Sequence, residues 1–192
     1  HPPAVARPAS EIELPPPSGQ APQRLIVLLH GAGSRPGLIV GAAVQWQLKF
    51  PSALLWMPGA PIVTASGRFW TDPSAHPPAA QSIRAATLAL RERIVAMQHQ
   101  HAIDAAGTVV AGYSQGGMFA YQTAAYRRSK DLASIVAFGS PVDTLAALPM
   151  GIPPNIGAVT AGFLADHVFN RIAIPGWLAR TAPLATRSSI VT

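Results

Sequence analysis

The run Thr108-Val109-Val110-Ala111-Gly112-Tyr113-Ser114-Gln115-Gly116-Gly117 constrains this chain more than any other stretch. The β-branched residues before Gly112 suit a buried strand, and the residues from Met118 to Arg127 read as helix. Between them the spacing is G-x-S-x-G, with glycines where a Cβ would block the backbone, so the chain has to turn sharply with Ser114 at the apex. A serine hydroxyl becomes a nucleophile only when a base takes its proton, and a tight turn is what holds it clear of the fold for that purpose. The helix that follows aims its first N–H groups at the same point, so the Gln115 amide is placed to bind an oxygen that gains charge during acyl transfer. The plainer alternative is a glycine-rich turn whose serine only caps the helix. Strand-like residues before the turn and helix-like residues after it favour the catalytic reading.

The rest of the chain reads as strands alternating with helices. Leu25-Ile26-Val27-Leu28-Leu29 is a continuous apolar run ended by His30-Gly31-Ala32-Gly33, as expected of a buried parallel strand meeting a loop. Leu38 to Phe50 carries Leu38, Val44 and Leu48 at loosely helical spacing. Ala53 to Met57 is a second buried strand, broken by Pro58-Gly59-Ala60-Pro61. A long helix is expected from Ala80 to Gln100, with Ile83, Leu90, Ile94 and Met97 on one face. Ala133 to Phe138 makes a further strand after the turn helix. Residues Ile156 to Asn170 fit a helix as well as they fit a strand over Ala158 to Phe163 followed by a loop, and the tail punctuated by Pro175 and Pro183 has no clear assignment. This alternation predicts an α/β fold, a mostly parallel sheet with helices on both faces. Sites in such sheets gather at the carboxyl ends of the strands, where the His30 loop and Ser114 both lie.

Residues His1 to Gln23 hold seven prolines and few aliphatics, which predicts a mobile arm ahead of a single domain over residues 24–192. Within the arm, Glu11-Ile12-Glu13-Leu14 alternates polar and apolar and fits a weak edge strand. The chain begins at His1, as a processed form or an excised fragment would. The compartment stays open: exported if His1 is a processed N-terminus, otherwise cytoplasmic. No apolar run approaches the length that crosses a bilayer, so a soluble protein without a transmembrane segment is expected. The net charge is +6, but the cations are scattered apart from Arg127-Arg128 and Lys130, which argues against nucleic-acid binding. With no cysteine there is neither a disulfide nor a thiolate metal site. No carboxylate-histidine cluster has metal-ligand spacing and no Gly-rich phosphate loop carries its Lys, so no metal and no cofactor are expected.

From Leu25 to about Ala125 the chain resembles the serine esterases of the phospholipase/carboxylesterase and acyl-protein thioesterase family within the α/β-hydrolase superfamily, which implies an α/β-hydrolase-type fold, minimal in size and open to truncation. Three blocks carry the resemblance in order: Leu29-His30-Gly31-Ala32-Gly33, then Pro58-Gly59-Ala60-Pro61-Ile62-Val63-Thr64 with Phe69-Trp70-Thr71-Asp72, then Gly112 to Gly117. It implies that Ser114 is the nucleophile, that the amides of Ala32 and Gln115 form an oxyanion hole, and that Phe69 and Trp70 border the acyl or leaving-group pocket. A Phe-Trp pair is more often core or lid packing. The turn together with Ala137 to Pro141 is also similar to cutinases, which rely on the disulfides this chain lacks. From Gly112 to about Thr181 it is similar to lipase-like domains related to polyhydroxyalkanoate synthases.

The chain departs from the esterase pattern in the rest of the triad. The fold's order of Ser, acid, His leaves His167 as the one histidine after Ser114. Asp143 is the acid that precedes it with room for a loop. Asp166 is the rival, but it adjoins His167, and neighbouring side chains diverge. If Asp166 is the acid, the base lies beyond Thr192. Asp143 also suits a helix cap near Thr144, and a lone histidine such as His167 is usually a surface or core residue. His30 precedes Ser114 and reads as structural, and His99 and His101 as surface cations at a helix end. The expected function is a serine hydrolase acting on a small-molecule carboxylic ester or thioester through an acyl-enzyme on Ser114. A non-catalytic or truncated acyl-binding segment and an acyltransferase are the alternatives.

Overall fold

The computed structural model describes residues 10–75, 78–125, 132–139, 157–161 and 187–191. Seven strands form one sheet: β1 (Ile12–Leu14), β2 (Arg24–Leu29), β3 (Ala53–Met57), β6 (Thr108–Tyr113), β7 (Ser134–Phe138), β8 (Gly157–Ala161) and β9 (Arg187–Val191). Their order is β1-β3-β2-β6-β7-β8-β9, and every pairing is parallel except that of β1 with β3. A separate hairpin pairs β4 (Ile62–Thr64) with β5 (Gly67–Phe69).

Residues alternate across each strand, so every central strand supplies two cores. Leu25, Val27 and Leu29 of β2 face α2 (Ala80–His101) and α3 (Gln115–Ala125), joining Leu90, Ile94, Met118 and Phe119 in the larger core. Ile26 and Leu28 face the other way, toward Ala43 of α1 (Val40–Lys49) with Leu55 and Met57. Each such side chain, fully buried, contributes about 1.5–3 kcal/mol from removal of apolar area from water. Helices on both faces are therefore what allow the near-continuous apolar runs of β2 and β3 to exist.

Several expectations take a definite form here. The stripe of the long helix is buried as read, with Thr87 added to Ile83, Leu90, Ile94 and Met97. That helix stops where Ala102 adopts φ 53° and its N–H reaches back to Gln98 and His99 carbonyls. The alternating residues near Glu11 are β1, so part of the Pro-rich segment is a strand of the sheet. Of the two readings after Ile156, the strand is realised as β8, in register with β7. In α1 and the turn before it, the loosely spaced Leu38, Val44 and Leu48 are exposed, while Ala43 is buried and Ile39, Val40 and Trp46 pack beside it. Leu38 lies in a short 3-10 turn ahead of the helix, which shifts the register of everything after it. Among the described residues no helix is long and apolar enough to cross a membrane.

Pairing of β2 with β6 sets Leu29 opposite Gly112. The loop after β2 and the turn after β6 thus leave the sheet side by side at its carboxyl edge.

Candidate active site

Ser114 stands between the last residue of β6 and the first of α3, with φ 53°. A non-glycine residue in the left-handed region costs about 1–3 kcal/mol and persists only where its surroundings enforce it. Two glycines supply that enforcement. A Cβ on Gly112 would fall 2.6 Å from the Gly117 nitrogen, and one on Gly116 would fall 2.6 Å from the His30 carbonyl oxygen and still closer to that of Leu29. The start of α3 is therefore pressed onto the end of β2 at a distance only glycine permits. The Ser114 N–H donates to the Phe138 carbonyl at 2.9 Å, and the Ser114 carbonyl accepts the first helical bond from Met118 at 3.1 Å. α3 begins at Gln115, three residues before the Met118 suggested by helix propensity, because Gly116 and Gly117 serve this packing within the first turn.

The loop after β2 passes directly beside the serine: a Cβ on Gly31 would lie 3.3 Å from the Ser114 Cβ. Its carbonyls and side chains are tied down from beneath. His30 is fully buried, and its Nδ1–H donates to the Gly31 carbonyl at 2.8 Å while Nε2 accepts the Ala60 N–H at 3.1 Å. That pattern is the neutral imidazole with both nitrogens engaged. Burial depresses its pKa below 6.5, and the Arg68 charge adds to the effect against the hydrogen bond to Gly31. His30 is thus a strut of the loop, as its place before Ser114 suggested.

Trp70 is the second strut. It is 2% exposed, its indole N–H donates to the His30 carbonyl at 2.9 Å, and its ring lies 5.5 Å from His30 and 5.6 Å from Phe119. It supports the loop from below through that bond. Large aromatic area with one polar atom to satisfy favours this buried position. Phe69 is half-buried beside Gly33, whose N–H donates to the Arg68 carbonyl at 2.9 Å.

Gln115 contributes a tie that no sequence signal announces. Its Oε1 accepts the Trp70 N–H at 2.9 Å and its Nε2 donates to Thr71 Oγ1 at 3.0 Å. The side chain so fastens the first turn of α3 to the segment that holds the loop. As the first residue of the helix, Gln115 has no intrahelical partner for its own N–H. Ala32 is exposed at the crest of the loop.

The remaining candidates fall elsewhere. Asp143, Asp166 and His167 lie outside the described residues. His99 is exposed and His101 lies 3.8 Å from Glu13. Among the described residues no three His, Asp or Glu side chains are grouped to hold a metal ion.

A serine in the left-handed region between a parallel strand and a helix, at the carboxyl edge of a mostly parallel sheet, defines the α/β-hydrolase class. The phospholipase/carboxylesterase family model matches residues 16–155, and the chain belongs to that family and is a carboxylic ester hydrolase. No curated protein matches it. Among solved structures it is similar to esterase PE8, at 25% identity over 97% of this chain and 91% of that one, with a TM-score of 0.73. The carboxylesterase from Mesorhizobium loti is 18% identical over 91% and 82% of the two chains, with a TM-score of 0.70. The phospholipase/carboxylesterase from Dyadobacter fermentans is 18% identical over 96% and 88%, with a TM-score of 0.61. The latter two likenesses concern the fold alone.

Proposed function

We propose that the protein cleaves carboxylic esters or thioesters through an acyl-enzyme on Ser114. The hydroxyl attacks the acyl carbonyl, and the Ala32 and Gln115 amides hold the oxygen as it becomes negative. A histidine later in the chain, His167, takes the serine proton and returns it to the leaving group, with Asp143 orienting the ring; both lie outside the described residues. Water then releases the acid. The observation that carries this reading is the φ of 53° at Ser114 with the Gly31 loop against its Cβ. Unlike Ala102, which takes the same φ where it ends α2, Ser114 takes it at a strand-to-helix turn between two glycines and against a second loop, an arrangement that supports a role beyond capping.

The test is hydrolysis of a short nitrophenyl ester with a pre-steady-state trace. The reading expects Ser114-dependent turnover with a burst of nitrophenol where deacylation is slower than acylation. Turnover undiminished in Ser114→Ala would refute it. Each oxyanion donor is expected to contribute on the order of a hundredfold in kcat, so displacement of the loop matters as much as loss of a triad member.

A further inference from the structure

A concavity opens where the loop after β2 meets the hairpin of β4 and β5. It has a volume of about 440 Å³ and is lined by Gly33, Arg35, Leu38, Val63, Ser66 and Arg68 among others. Gly33 lies two residues beyond Gly31, which adjoins the serine, and two residues span at most about 7 Å. The cavity wall therefore begins within the length of a small ester from the proposed nucleophile.

Its chemistry is one-sided. Arg68 spends one Nη1–H on the Ala60 carbonyl at 3.0 Å, and its other guanidinium N–H groups have no partner among the described residues. Arg35 is exposed and has no ion pair there either. No carboxylate among the described residues lines the cavity, whereas Arg93 pairs with Glu11 at 3.0 Å. Leu38 and Val63 supply apolar wall at 66% and 64% exposure. The position of the wall is fixed by backbone bonds: the Arg68 carbonyl accepts the Gly33 N–H at 2.9 Å, and the Arg68 N–H donates to the Ser34 carbonyl at 3.0 Å. Two guanidinium groups with no carboxylate partner among the described residues, around a partly apolar cleft, are suited to a carboxylate or phosphate on a short carbon chain.

We infer that the cavity between Arg35 and Arg68 is a specificity subsite for a negatively charged group of the ester substrate. The inference rests on the Ser114 reading, since it places that charge a short chain from the scissile carbonyl. The acyl half and the alcohol half of the ester are both within reach, and the shared chemistry is an oxyanionic group recognised by guanidinium.

Two matched pairs of esters test it. Nitrophenyl butyrate against the mono-nitrophenyl ester of glutaric acid places the carboxylate on the acyl side, and phenyl butyrate against 4-(butyryloxy)benzoate places it on the leaving group. At low salt, the charged member of one pair is expected to have about five- to tenfold the kcat/KM of its neutral partner, and the pair concerned identifies the side. Arg35→Gln or Arg68→Gln is expected to remove that preference, with KM for the charged ester rising and the neutral ester unaffected in Arg35→Gln. No preference in either pair, with Ser114-dependent hydrolysis of the neutral esters intact, overturns the subsite alone. A preference unchanged in both arginine variants overturns it as well. Failure to hydrolyse any of the four esters would take down the Ser114 reading and the subsite together.

Discussion

Gly116→Ala is the perturbation that bears most directly on how the site is built. The new methyl would lie 2.6 Å from the His30 oxygen, where an ordinary contact needs at least 3.4 Å, and closer still to the Leu29 oxygen. Both obstacles are backbone at the end of β2, so neither can rotate away. The first turn of α3 and the loop must separate by more than about 0.8 Å, the shortfall at the milder of the two contacts. Overpacking of this kind costs about 1–3 kcal/mol, and two rigid partners put the variant at the upper end, near 3 kcal/mol. The same displacement moves Ser114 against the Ala32 amide, and about 1 Å of misplacement at a reacting centre lowers the rate by about a hundredfold. Urea unfolding of the variant gives the first quantity, and kcat on a nitrophenyl ester gives the second. Gly41→Ala is the control, because a Cβ there meets nothing within 4 Å and alanine favours the helix by up to about 1 kcal/mol. A Gly116→Ala protein within about 0.5 kcal/mol of the parent and fully active would show that the turn and the loop are not coupled in this way.

Two further outcomes follow from the struts beneath the loop. Trp70→Phe leaves the buried His30 carbonyl without its donor, so stability is expected to fall by about 1–3 kcal/mol and kcat to fall more than KM rises, read by urea unfolding and ester kinetics. His30 makes the fold acid-sensitive: below its ordinary pKa of 6.5 the unfolded chain takes up a proton that the buried ring resists. Stability attributable to this group is therefore intact above that pH and declines by up to about 1.4 kcal/mol per pH unit below it, until the folded ring itself titrates. His30→Gln, which can still donate and accept, is expected to lose less stability than the parent between pH 7 and pH 5 in paired unfolding curves.

The sheet was legible because its central strands are buried on both faces and so read as unbroken apolar runs, and because Gly112, Ser114 and Gly116 admit one geometry. The buried stripe of α2 was legible for the same reason of periodicity. The hairpin of β4 and β5 was not, since three-residue strands around Ala65-Ser66 leave too little alternation to detect. The buried face of α1 was not legible, because Leu38, Val44 and Leu48 are only loosely spaced and Leu38 belongs to a separate turn. Within the site, strand-helix alternation places Ser114 and the loop carrying Ala32 at the same carboxyl edge, and the pairing of β2 with β6 sets them side by side. The tie from Gln115 to Trp70 and Thr71 could not, because it joins side chains whose proximity depends on how the hairpin folds back. Trp70 illustrates the difference: its presence in a family block was visible, whereas its burial beneath His30 belongs to packing.

The most direct measurement is to map where a fluorophosphonate attaches, by intact-mass and peptide mass spectrometry of the 192-residue chain. One adduct per chain, on the peptide holding Ser114, lost in Ser114→Ala and formed at least tenfold more slowly in Gly116→Ala, is the predicted result. Stoichiometric modification of a different residue, or an adduct that persists in Ser114→Ala, would contradict the account.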